Sequence, residues 1–146
     1  PHPPNFTSLL ALSFYVPALL GPRYIPALIL SFVATDLIIG LHGITLFTWG
    51  SVLLVGLASR FFNITFFSRI LGSLFGAGLF FIITNFGVWS LGNYAYNING
   101  LINCYTLALP FFAYNLISTL VFASIIEAIY KIMLLKKISF VKNKFN

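Results

Sequence analysis

The sequence predicts an all-α fold: an integral membrane helical bundle of about five transmembrane helices plus a short interfacial or re-entrant helix. Three observations carry this. First, the 146 residues are 60% hydrophobic and only 7% charged, whereas a soluble domain has about 25% charged residues. Second, the apolar residues come in runs of roughly membrane-crossing length, separated by glycine, proline and short polar stretches. Third, the basic residues fall between those runs or after the last of them, which is where charge orients helices in a bilayer. A soluble domain of this size would still expose roughly 30% of its unfolded-chain surface. Ten charged residues, half of them in the C-terminal stretch from Lys131 onward, cannot keep that surface wet.

The elements follow in order. The first apolar segment covers residues 6–21, with Pro17 expected to kink it. The second covers 25–41, with Pro26 in the first turn, where proline is tolerated. The third covers 44–62. The fourth, 68–91, is the cleanest, with Arg69 its only charge. A polar and aromatic loop follows, Gly-Asn-Tyr-Ala-Tyr-Asn-Ile-Asn-Gly at 92–100. Residues 101–135 would make a helix of about 52 Å, too long for a hydrocarbon core of about 30 Å. Pro110 is therefore expected to divide them into a short helix over 102–109 and a full segment over 111–135. A basic tail, 136–146, closes the chain, and the whole is one transmembrane domain.

Five crossings place every Arg and Lys on one side. With the Pro1 side outside, the C-terminus is cytoplasmic. The net charge of +6 then serves topology and lipid attraction rather than nucleic acid. With one cysteine, Cys104, an intrachain disulfide and a thiolate-rich metal site are excluded. No metal or cofactor is expected.

This topology gathers the polar residues toward the outer side. Asn5, His42, Trp89, Tyr94, Tyr96, Asn103, Cys104 and Tyr105 lie at the outer rim, and Asp36, Asn85 and Asn115 lie one to two turns below it. An ionisable group inside a membrane segment costs at least about 2.5–3.5 kcal/mol and is a functional hypothesis by default. Asp36 has two readings: it lines a polar pocket, or it holds helices together through a hydrogen bond to Asn85 or a helix end. Asn85 and Asn115 carry the same choice, with interhelical bonding favoured. The tyrosines and tryptophans are either an aromatic belt or walls for a flat ligand. Gly72 and Gly76 form a small-residue face for helix packing, within the chain or against another subunit. Glu127 and Lys131, at i and i+4, are expected to neutralise each other. Paired acids, a Ser/His/Asp set and phosphate loops are all missing, so enzyme chemistry is not expected.

The motifs His2-Pro3-Pro4-Asn5-Phe6-Thr7, Thr35-Asp36-Leu37 with Gly40-Leu41-His42, Thr84-Asn85-Phe86-Gly87-Val88-Trp89, and Gly100-Leu101 with Cys104-Tyr105 and Ala108-Leu109-Pro110-Phe111-Phe112 together resemble an uncharacterised bacterial family of small membrane transport proteins. That family looks related to the substrate-binding S components of energy-coupling-factor (ECF) transporters. The resemblance implies a six-helix S-component-like fold lacking its first helix, in a bacterial inner membrane. It also implies an outward-facing site for a small metabolite or vitamin, and an energy-coupling module or other membrane subunits as partners. Where such sequences commonly carry Gly-Asp near Asn115, this one reads Ile117-Ser118-Thr119, which removes an acidic group from the last segment. The alternative is a structural or assembly subunit of a larger membrane complex.

Overall fold

A computed structural model describes residues 7–144, with side chains for residues 7–137. Among the described residues the chain is helical throughout, with five α-helices and no strand. Helix α1 is Leu9–Leu20, α2 Ile25–Ile39, α3 Thr45–Ala58, α4 Phe66–Val88 and α5 Ile98–Lys144. Local chemistry sets most of the ends. Gly21 and Gly40 stop α1 and α2 at φ values of 102° and 118°, backbone that residues with a Cβ rarely adopt. The Thr65 hydroxyl caps α4 by accepting from the Ser68 N–H at 3.1 Å, satisfying one of the free donors at a helix start. At its other end α4 widens into a π-helical turn, Trp89–Asn93, which Gly92 closes at φ 82°.

Among the described residues, three segments are long and apolar enough to cross a membrane: Pro22–Ile39, Phe66–Asn93 and Ile98–Lys137. The apolar helices Leu9–Leu20 and Thr45–Phe61 are shorter. At 1.5 Å per residue they reach about 18 and 26 Å, less than a hydrocarbon core of about 30 Å.

The break expected at Pro110 is absent. Helix α5 runs without interruption over 47 residues with Pro110 inside it. A proline removes one N–H donor and crowds the preceding turn, but here it lies on an exposed face. Packing against α4 holds the helix on both sides of it. The Tyr105 hydroxyl donates to the Ile82 carbonyl at 2.7 Å, and Phe112 stacks on Phe81 with centroids 4.4 Å apart. Residues 102–109 are thus part of a long antiparallel α4–α5 hairpin rather than a separate short helix.

Helix α4 is central and packs against α1, α3 and α5, while α2 sits at the edge, mainly on α3. One core cluster joins Phe14 and Tyr15 of α1, Val55 of α3 and Ala123 of α5. A smaller one joins Leu28 and Phe32 of α2 to Val52 of α3. The interior is otherwise built from small residues. Ser13, Ser51, Ser59, Ser73 and Ser118 are buried, and each hydroxyl donates to a carbonyl of its own helix. Outside these clusters many large apolar side chains point outward, Ile38 being 86% and Leu30 66% exposed. Small and polar inside with large and apolar outside is the arrangement that suits lipid as the surrounding solvent.

Candidate functional site

A cavity of about 310 Å3 opens between the start of α3, the second half of α4 and the first half of α5. Its walls are aromatic: Phe80 and Phe81 from α4, Phe111 and Phe112 from α5. Its polar groups are His42, Asn85 and Asn115, with the hydroxyls of Thr48 and Thr84. Its size falls at the lower end of small-molecule sites, about 300–1,000 Å3.

The polar groups differ in how far they are already engaged. Thr48 and Thr84 donate back to the carbonyls of Ile44 and Phe80 at 3.3 and 2.8 Å. Asn85 donates from Nδ2 to the Phe81 carbonyl at 2.8 Å, leaving Oδ1 without a partner among the described residues. The Asn115 amide makes no hydrogen bond among the described residues, although its backbone carbonyl accepts from Ser118. The His42 ring is free in the same sense. Its backbone is held in a tight turn, where Thr45 Oγ1 accepts from the His42 N–H at 3.0 Å and donates to the His42 carbonyl at 2.6 Å. Each free carboxamide supplies donors and acceptors. Among the described residues the lining holds no carboxylate or ammonium group, so it suits a small, largely uncharged, flat molecule.

The residues singled out from sequence divide sharply. His42, Asn85 and Asn115 come together. Asp36 does not join them: its Oδ2 accepts from the Trp49 indole N–H at 2.7 Å, and among the described residues its carboxylate bonds neither Asn85 nor a helix end. Trp89, Tyr94, Tyr96, Asn103, Cys104 and Tyr105 do not line the cavity. Several of them stabilise the α4–α5 connection instead. Trp89 donates to the Ala95 carbonyl at 3.1 Å and Tyr96 to the Ser90 carbonyl at 3.0 Å, with their rings 5.9 Å apart. Buried Cys104 donates to the Asn85 carbonyl at 3.4 Å. Tyr94 is half-buried and Asn103 exposed. Asn5 lies outside the described residues.

Sequence reasoning missed the four phenylalanines and the two threonines. Phe111 and Phe112 stand in the family-like motif, but phenylalanine is so common in this chain that none was singled out as a site residue. The spacing gave a usable clue: adjacent pairs, Phe80-Phe81 and Phe111-Phe112, sit on the same two helices as the two asparagines.

The other polar constellation lies toward the opposite end of α4. Arg69 and Glu127 form a buried ion pair, Nε to Oε1 at 2.5 Å and NH2 to Oε2 at 2.7 Å. Glu127 is thus paired across helices and not with Lys131, because Arg69 presents a planar fork that matches both carboxylate oxygens. The buried Tyr15 hydroxyl has no hydrogen-bond partner among the described residues. Gly72 and Gly76 face the chain's own helices. A Cβ on Gly72 would meet the Phe14 ring at 2.6 Å, and one on Gly76 would meet Val55 Cγ1 at 2.8 Å. Gly87, not anticipated, plays the same part against Phe47.

Fold and cavity together define an all-helical protein with membrane-length apolar helices and a small aromatic-walled chamber. The chain belongs to a family of unknown function, DUF6580, whose model matches residues 1–141. No curated protein and no solved structure matches it.

Proposed function

We propose that this chain is a multi-pass protein of the bacterial cytoplasmic membrane that captures a small, uncharged metabolite or vitamin in the α3–α4–α5 cavity. It would act in uptake, either as the substrate-binding subunit of a transporter, in the manner of ECF S components, or as a small transporter alone. The observation that carries the reading is the hydrogen-bonding capacity that Asn85 Oδ1 and the Asn115 amide leave unused among the described residues, at a chamber walled by four phenylalanines. Polar groups that do no work in holding helices together, in a chain otherwise sparing of them, are the groups expected to meet a ligand.

The membrane assignment is supported by the three long apolar segments and the outward apolar surface. Orientation is supported by Arg23 and Arg60, which follow α1 and α3, and by the lysines ending α5. In alternating helices these all fall at one end, read here as the cytoplasmic one. The cavity lies toward the other end, where a ligand would enter from outside. Binding would favour one conformation, and reorientation or docking on an energising partner would release the ligand inward.

Native mass spectrometry of protein extracted gently from membrane tests this. Wild type should retain a small molecule, and Asn115→Leu should lower its retention about tenfold, the worth of one good hydrogen bond. Asn85→Leu should do the same, with expression unchanged in both. A wild-type chain that carries no ligand and takes up none from a mixture of vitamins and nucleobases would overturn the proposal.

A further inference from the structure

The Arg69–Glu127 pair changes the standing of its neighbours at the lysine-bearing end. Arg69 engages both carboxylate oxygens, and its NH1 donates to the Asn63 carbonyl at 3.3 Å. Lys131, one turn beyond Glu127, is left without an ion-pair partner among the described residues. Tyr130 lies against the Arg69 guanidinium at 5.3 Å, and its hydroxyl makes no hydrogen bond among those residues. Both side chains are exposed. Both border a cavity of about 500 Å3 whose other walls include Phe66, Ala128 and Leu134.

The floor of this cavity is neutral, because Arg69 and Glu127 cancel, so its net positive charge belongs to Lys131. The complementary occupant has one negative charge, an acceptor for a phenol and a hydrocarbon part. A soluble anion would leave Phe66 and Leu134 against water. An uncharged lipid would leave Lys131 unpaired. We infer that this cavity binds an anionic phospholipid from the leaflet at the lysine end, with its phosphate on Lys131 and Tyr130 and an acyl chain along Phe66, Ala128 and Leu134. The tail lysines attract anionic lipid as a class. Lys131 differs because it borders a formed cavity and lies about 9 Å of helix before Lys137, nearer the hydrocarbon.

The inference rests on the membrane reading but not on the metabolite. Membrane insertion is therefore scored first, by whether the chain stays in the pellet after alkaline carbonate extraction; release would overturn both. Detergent-solubilised protein is then exchanged into mixtures of phosphatidylglycerol and phosphatidylcholine, washed, and weighed by native mass spectrometry. Wild type should keep one phosphatidylglycerol. Occupancy should fall about fivefold in Lys131→Gln, the worth of one lysine near the surface, and by less in Tyr130→Phe. It should not change in Lys136→Gln or Asn115→Leu. Equal losses in Lys131→Gln and Lys136→Gln would mean diffuse attraction to the tail and would overturn the site. So would equal retention of phosphatidylcholine, displacement by glycerol phosphate, or a co-purifying protein that Lys131→Gln releases instead of lipid.

Discussion

The two ends of the α4–α5 hairpin handle their polar groups in opposite ways. Toward the lysine-bearing end, a full positive and a full negative charge are buried and joined by two hydrogen bonds. Toward the loop end, the carboxamides of Asn85 and Asn115 are half-buried and, among the described residues, partly without partners around an open chamber. The first arrangement fixes two helices against each other. The second leaves hydrogen-bonding capacity available, and so is the end suited to a ligand. The lesson is that polarity inside an apolar bundle does not itself mark a binding site. What marks it is polarity left over after the helices have been joined.

The contrast predicts that mutations at the paired end cost stability, whereas those at the chamber cost binding. The largest effect is expected at the ion pair. Arg69→Ala or Glu127→Ala leaves an uncompensated buried charge and should destabilise by about 3–5 kcal/mol. The double variant Arg69→Met, Glu127→Leu replaces both charges with apolar groups and should recover most of that loss. Thermal unfolding in detergent of the two singles and the double gives the answer. If the double is as unstable as the worse single, the pair is not the joint described.

Next comes the glycine face. Gly76→Val inserts atoms where Val55 Cγ1 already sits 2.8 Å from the position of a Cβ. Overpacking of this kind costs about 1–3 kcal/mol, and Val55→Ala in the same chain should restore much of it. The effect should not depend on protein concentration, since the contact is within one chain. A loss that grows on dilution would instead point to the assembly-subunit reading, with this face between subunits.

Much of this fold was legible in the sequence, because helices in an apolar chain are punctuated by residues with fixed backbone demands. Gly21 and Gly92 end helices at positive φ where the apolar runs were expected to stop, whereas α2 ends at Gly40 rather than running to residue 41, and Thr65 starts α4 ahead of the expected residue 68. Pro110 misled because length and proline chemistry both argued for a break. The competing term, tertiary packing of Tyr105 and Phe112 on α4, is not visible in a local window. The chamber was half legible. Depth along a helix placed His42, Asn85 and Asn115 at one end, but depth says nothing about which face a residue occupies. Asp36 shares their depth and points to Trp49, and Glu127 ignored its neighbour four residues on for a partner 58 residues away. Pairing across helices is the step that hydropathy and spacing do not encode.

The smallest effect, and the one that sharpens the contrast most, is expected at Asp36. Charge alone makes it the leading candidate for a ligand contact. Geometry assigns it instead to the α2–α3 joint, through the Trp49 indole. Asp36→Asn keeps an acceptor for that indole while removing the charge, so it should lower stability by no more than about 1 kcal/mol. Trp49→Phe removes the donor and should cost a similar amount. Combining the two should cost less than their sum, because each disables the same bond. Neither should change the amount of small molecule retained by the α3–α4–α5 chamber, which Asp36 and Trp49 do not line. Should Asp36→Asn empty the chamber while Asn115→Leu leaves it filled, the assignments of the two residues would have to be exchanged. The leftover-polarity criterion would then fail at the place where it makes its clearest distinction.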